Sequence, residues 1–287
     1  MGLGVLYLVW GSVYLAVRTA VQFWPPFLLV GVRFLLAGLL MLAWAKWKGD
    51  PWPRGRRAWT NASVVGLLMV TGANGGVTWG VFFVDSGLAA VLIATVPLWL
   101  IALEALRPEG DRPHWLAGVG LALGLVGVTL LVQPNFGVPE HAWALLGQLL
   151  QLGAAAAWAF GSIFSRQFTM PSSVTMSAAI QMIVGSLVLI ALGVLRGEAA
   201  QFPLYLAFWP SMAFLFMVFG GSLMGYGTYQ WLIQVARPAL VATYAYVNPV
   251  IAVFLGVWIA HEPLTATMLW GSGLILVAAF LIQRVKA

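Results

Sequence analysis

Ten apolar runs, each about as long as a bilayer-spanning helix, follow one another along this chain of 287 residues with little between them. A membrane helix needs about 20 mostly apolar residues. Cutting at loop signals gives Leu3–Gln22, Pro26–Trp47, Trp59–Val84, Leu88–Leu106, His114–Val132, Ala142–Ser165, Val174–Leu195, Phe208–Val235, Pro238–Ala260 and Leu264–Gln283. The runs are too long and too continuously apolar for the alternation of a barrel strand. The expected fold class is therefore an all-α integral membrane protein with ten transmembrane helices. Composition agrees: 62% of residues are hydrophobic and 8% charged, against about 25% charged in soluble domains. The first run begins without a basic leader and no A-x-A site follows it, so it reads as a first membrane helix and not as a signal peptide.

The net charge of +6 would suit nucleic acid, but its placement argues otherwise. An even number of spans puts both termini on one side. If that side is the cytoplasm, the inner loops carry Lys46, Lys48, Arg54, Arg56, Arg57, Arg107, Arg112, Arg166, Arg237, Arg284 and Lys286. The outer loops carry only Arg196. This is the positive-inside bias of a plasma-membrane protein with cytoplasmic termini, and no nucleic-acid partner is expected. The chain has no cysteine, which excludes disulfides and zinc–thiolate sites; neither a metal nor a cofactor is expected.

The chain also repeats itself. Pro97 in "ATVPLWL" matches Pro249 in "YVNPVIA", 152 residues on (249 − 97). At the same offset Trp79 matches Trp231, and Asn74 and Thr78 land on Tyr226 and Gln230. "GVGLAL" at Gly118 is echoed by "GSGLIL" at Gly271, and "WGS" at Trp10 by "FGS" at Phe160. The halves are 1–135 and 136–287, with five spans each. An odd number of spans per copy turns the second copy over, and such inverted repeats are the usual build of secondary transporters. Proline in a helix interior removes a hydrogen bond and costs about 3 kcal/mol. Pro97 and Pro249 are accordingly expected to break spans four and nine near the membrane's middle, where freed backbone groups can line a cavity.

With ten spans, paired mid-helix prolines and glycine-rich fifth and tenth spans, the whole chain resembles the EamA-type members of the drug/metabolite transporter superfamily. Within it, the chain is similar to bacterial exporters of aromatic amino acids. The resemblance implies a monomeric ten-helix inner-membrane exporter with a central cavity between the two halves.

Polar side chains in the spans recur at helical spacing. Asn74 and Thr78 share one face of span three, and Tyr226 and Gln230 one face of span eight. Tyr244 and Asn248 stack in span nine, Thr95 and Trp99 in span four, Trp158 and Ser162 in span six; span one offers Tyr7, Tyr14 and Arg18. Taken singly, such groups are ordinary interhelical glue, worth about 0.6 kcal/mol each. As a matched set beside two helix breaks, they are the lining a midplane substrate site needs. Trp99 and Trp158 fall near mid-span, away from the interfacial belt that accounts for most of the other tryptophans; they pack in the core or wall a pocket for an aromatic or apolar solute. Arg33 lies about two turns into span two, where it either snorkels or serves as a gate or solute-carboxylate contact.

No Asp, Glu or His falls near a span centre, so a dedicated midplane proton relay is not expected. Facilitated export or exchange fits better. No nucleophile–base pair or H-E-x-x-H motif is present, so an intramembrane enzyme, like a receptor, is disfavoured. The G-x-x-x-G at Gly120–Gly124 allows close helix contact, within the bundle or in a dimer. The expected function is a secondary exporter of amino acids, aromatic and other apolar ones preferred, by alternating access; the alternative is export of drugs or other neutral metabolites.

Overall fold

The computed structural model describes residues 1–20, 23–80, 82–84, 86–107, 114–132, 142–201, 207–260 and 265–284. Ten helices follow in the expected order. They are α1 (Gly2–Ala20), α2 (Pro26–Trp47), α3 (Arg56–Gly80), α4 (Ser86–Ile93 and Val96–Ala105) and α5 (Trp115–Val132). Then come α6 (Ala142–Gln167), α7 (Val174–Leu195), α8 (Phe208–Val235), α9 (Pro238–Ala242 and Tyr244–Ala260) and α10 (Ala266–Arg284). Among the described residues no strand occurs. Among the described residues seven helices are long and apolar enough to cross a membrane, while α1, α5 and α10 contribute the shorter apolar stretches Gly2–Val13, Trp115–Leu130 and Ala266–Ile282. In hydrocarbon each helix satisfies its own backbone, which is why uninterrupted apolar sequence resolves into helices here.

Helix ends follow local chemistry. Gly49 at φ 79° and Gly197 at φ 78° stop α2 and α7 in the left-handed conformation that glycine adopts without strain. The start of α2 is different, because its N-cap is Pro25, which has no side-chain acceptor. Glu198, in a short 3₁₀ turn after α7, supplies the cap from across the sequence. It accepts Leu28 N–H at 2.8 Å and Phe27 N–H at 3.3 Å, and a carboxylate at a helix N-terminus also opposes the helix dipole.

Two helix pairs pack most extensively, α2 against α7 and α5 against α10. Small residues set their spacing. A methyl on Gly127 of α5 would lie 2.8 Å from the Gly271 carbonyl oxygen of α10. The second glycine of the G-x-x-x-G, Gly124, lies against the Tyr246 ring of α9. The glycine face of α5 is thus occupied inside the bundle.

The helix interruptions lie earlier than the prolines suggested. In α4 the turn falls at Ala94–Thr95, and Pro97 is the second residue of the segment that follows. There its missing N–H is one the first turn would leave unbonded in any case. In α9 the turn is at Thr243, whereas Pro249 sits within the continuous helix Tyr244–Ala260. Two π-helical segments were not foreseen: Leu67–Gly75 in α3 and Met217–Tyr226 in α8. Such widened turns bulge the helix and re-aim its side chains.

Candidate functional site

A cavity of about 300 Å³ lies in the centre of the bundle, at the lower end of the size range of small-molecule sites. Seven helices line it: α1, α2, α3, α4, α6, α8 and α9. Six of these are the spans that the polar pattern singled out; α2 is the addition. Arg33 is about two turns into α2 and Val77 about one turn from the end of α3. The cavity therefore reaches from mid-bundle towards the face at which α1 ends.

One wall is aromatic. Trp10 of α1 stacks on Tyr229 with centroids 5.5 Å apart and meets the edges of Trp158 at 5.7 Å and Tyr244 at 4.8 Å. Its indole N–H donates to the Gly221 carbonyl at 2.9 Å, inside the π segment of α8. Edge-to-face and offset contacts of this kind hold rings rigidly. Below them, towards the face where α1 begins, polar bonds close the bundle. The Trp158 indole donates to the Tyr229 hydroxyl at 3.0 Å; that hydroxyl is bonded to Ser162 Oγ at 2.6 Å, and Ser162 Oγ donates to the Trp158 carbonyl. Further out, the Tyr7 hydroxyl meets Thr243 Oγ1 at 2.5 Å, at the α9 turn, and Gln234 Nε2 donates to the Ser165 carbonyl at 2.9 Å.

The polar groups facing the cavity are few. Asn74 Nδ2 donates to the Met69 carbonyl, five residues back in the π segment, at 2.8 Å. Asn248 is 3% exposed, and its Oδ1 has no hydrogen-bond partner among the described residues. An amide oxygen buried without a partner costs about 1–3 kcal/mol, so it is poised for a donor on a bound solute. Arg33 is 8% exposed and does not snorkel. Its Nε–H donates to Ser222 Oγ of α8 at 2.8 Å, and its guanidinium carbon sits 4.9 Å from the Phe34 ring centre. Glu104 of α4 is also buried; it pairs with Arg107 at 2.6 Å, away from the cavity wall.

The sequence-derived residues divide. Asn74, Trp158, Tyr226, Tyr244 and Asn248 line the cavity, as does Arg33. Ser162 and Gln230 are buried beside it, holding Tyr229 and contacting Met69 Sδ respectively. Thr78 bonds the Asn74 carbonyl of its own helix. Trp99 is a correction: it is 36% exposed on the outside of α4 and absent from the cavity wall. The turn at Ala94–Thr95 directs Ile93 and Val96 inward instead. The side chains of Tyr14 and Arg18 lie outside the described residues, as do Asp85, Glu109, Asp111, Glu140, His141, His261 and Glu262. Trp10 and Tyr229 went unread as site residues; the "WGS" echo at Trp10 was the available signal.

Comparison with known proteins places these features in a wider group. The EamA-like transporter family matches residues 3–133 and again 145–284. The chain is 36% identical over 283 residues to the uncharacterized inner membrane transporter YedA of Escherichia coli (strain K12), covering 98% of this chain and 89% of that protein. It is 27% identical to the uncharacterized transporter YvbV of Bacillus subtilis, covering 98% and 90%. A probable amino-acid metabolite efflux pump of Escherichia coli (strain K12) is 23% identical, covering 95% and 90%. A crystal structure at 19% identity superposes with a TM-score of 0.82 over 100% of this chain and 98% of that one, which establishes the fold alone.

Proposed function

The chain belongs to the EamA-like transporter family, and from that premise we propose that it is an inner-membrane secondary transporter that exports amino acids, aromatic and other apolar ones preferred. Its substrate is a small molecule bound in the central cavity and its second partner is the lipid bilayer. The observation that carries the reading is the cavity's division of labour: an aromatic wall of Trp10, Trp158 and Tyr244 faces a guanidinium and an unpartnered amide oxygen. An amino acid with a large apolar side chain has matching parts. Similarity to the probable amino-acid metabolite efflux pump points the same way. The inner-membrane assignment rests on the YedA relatives.

Transport is proposed to run by alternating access between two inverted halves, 1–135 and 136–287. Its support is the matched placing of interruptions: π segments in α3 and α8 and turns in α4 and α9. The bonds around Tyr229, Thr243 and Gln234 would then form the closed gate, and would part as the cavity opens to the other side. No buried carboxylate or histidine faces the cavity among the described residues, so solute exchange needs no proton relay there. The second reading, export of neutral metabolites or drugs, rests on the same aromatic wall.

Purified protein in liposomes is expected to exchange labelled phenylalanine or tryptophan, and Trp158→Ala to slow tryptophan more than alanine. No counterflow above empty vesicles across a panel of amino acids would remove the substrate assignment.

A further inference from the structure

Arg33 is the sole charged side chain on the cavity wall among the described residues. A cation at membrane depth costs about 2.5–3.5 kcal/mol even on insertion scales, and is normally paired. Here no carboxylate reaches it among the described residues. Glu198, the acid that caps the start of α2, is committed to the N–H groups of Phe27 and Leu28. A guanidinium carries five N–H donors. One, on Nε, is held by Ser222, and no bond from Nη1 or Nη2 to a described residue accompanies it. With Nε held by Ser222 and Arg33 on the cavity wall, the Nη edge of the fork is left for a carboxylate, which a guanidinium can receive through two parallel bonds. Gly221, which adjoins Ser222 on α8, makes room for this: a methyl there would lie 2.9 Å from Nη2.

From these contacts we infer that Arg33 is the specificity-determining residue of the site, sorting solutes by charge through their carboxylate. The inference rests on the proposed transport of amino acids and narrows it. The solute's carboxylate completes the fork, while its ammonium meets the unpartnered Asn248 Oδ1 and the faces of the aromatic wall. Cationic apolar solutes without a carboxylate are rejected, because they would place a second positive charge in a cavity with no anion. A merely structural Arg33, tying α2 to α8, would use one donor and impose no such sorting.

The experiment is competition for counterflow in proteoliposomes, with four indole compounds of nearly equal bulk: tryptophan, tryptophanamide, tryptamine and indole-3-propionate. Wild-type protein is expected to take tryptophan and indole-3-propionate at least about tenfold better than the amide and the amine, since losing a two-bond ionic contact costs at least that factor. Arg33→Gln is expected to erase that ratio, and Arg33→Lys to keep its direction at reduced size. If wild-type protein moves amine, amide and acid alike, the inference is overturned whether or not the variants fold. It is overturned too if Arg33→Gln folds and keeps the ratio. If indole-3-propionate exchanges but no amino acid does, charge sorting stands and the amino-acid reading fails. If tryptophan exchanges without preference over its amide, the reverse holds.

Discussion

Arg33 on α2 and Gln181 on α7 stand 148 positions apart (181 − 33), as do the helix-ending glycines Gly49 and Gly197 (197 − 49). The two side chains reach the same π segment of α8 one turn apart, Arg33 at Ser222 and Gln181 at Tyr226. Their environments are opposite. Gln181 is fully buried: its Oε1 accepts the Tyr226 hydroxyl at 2.7 Å and its Nε2 donates to Ser177 Oγ at 3.0 Å. Its hydrogen bonds are internal, and it is absent from the cavity wall. Arg33 has one bond to the protein and an edge left over. On the proposed reading, matched positions in the two halves serve as a structural tie and a ligand contact. A doubled scaffold can therefore hold a one-sided binding site.

Three substitutions sharpen or break that contrast. The largest effect on stability is expected from Gln181→Leu, which leaves the buried Tyr226 hydroxyl only its long contact to Met69 Sδ; thermal unfolding in detergent should show a loss of about 1–2 kcal/mol. The acid-over-amide preference should survive, and its collapse would mean that Gln181 also touches solute. Ser222→Ala comes next. It releases Arg33 Nε, for about 0.6 kcal/mol of stability, and should raise KM for tryptophan a few-fold with kcat nearly unchanged. An unaltered KM would show that the fork needs no anchor. The smallest effect belongs to Thr78→Ala, whose hydroxyl bonds only the Asn74 carbonyl of its own helix. Less than about 0.5 kcal/mol and unchanged transport are expected; a marked transport defect would put Thr78 back among the solute contacts.

The ten helices were legible because lipid demands one signal, a long apolar run, and α2 and α7 match their expected bounds to the residue. Helical spacing also pointed to Tyr244 and Asn248, since a shared face stays shared when the helix is regular. It failed where the helix is irregular. Trp99 was grouped with Thr95, but the turn at Ala94–Thr95 separates the direction of the two segments of α4. The prolines marked the right helices and the wrong residues, because Pro97 fits a first turn without penalty. Neither π segment has a composition that distinguishes it from α-helix, so the positions of Ser222 and Gly221 beside Arg33 were not readable. The depth of Arg33 was legible. That it meets α8 there, and so has no need to snorkel, depends on packing between halves. Glu198 shows the same limit, since its role lies in a backbone 170 residues away.

The central claim is that the chamber beneath Arg33 is where solute binds. The chain contains no cysteine, so Val77→Cys, on the cavity wall, would provide a unique thiol. The rate at which a small charged thiol reagent modifies it should fall several-fold when tryptophan is saturating and stay unchanged with tryptamine. A rate indifferent to tryptophan, in protein that still exchanges tryptophan, would place the transport path elsewhere and contradict the account.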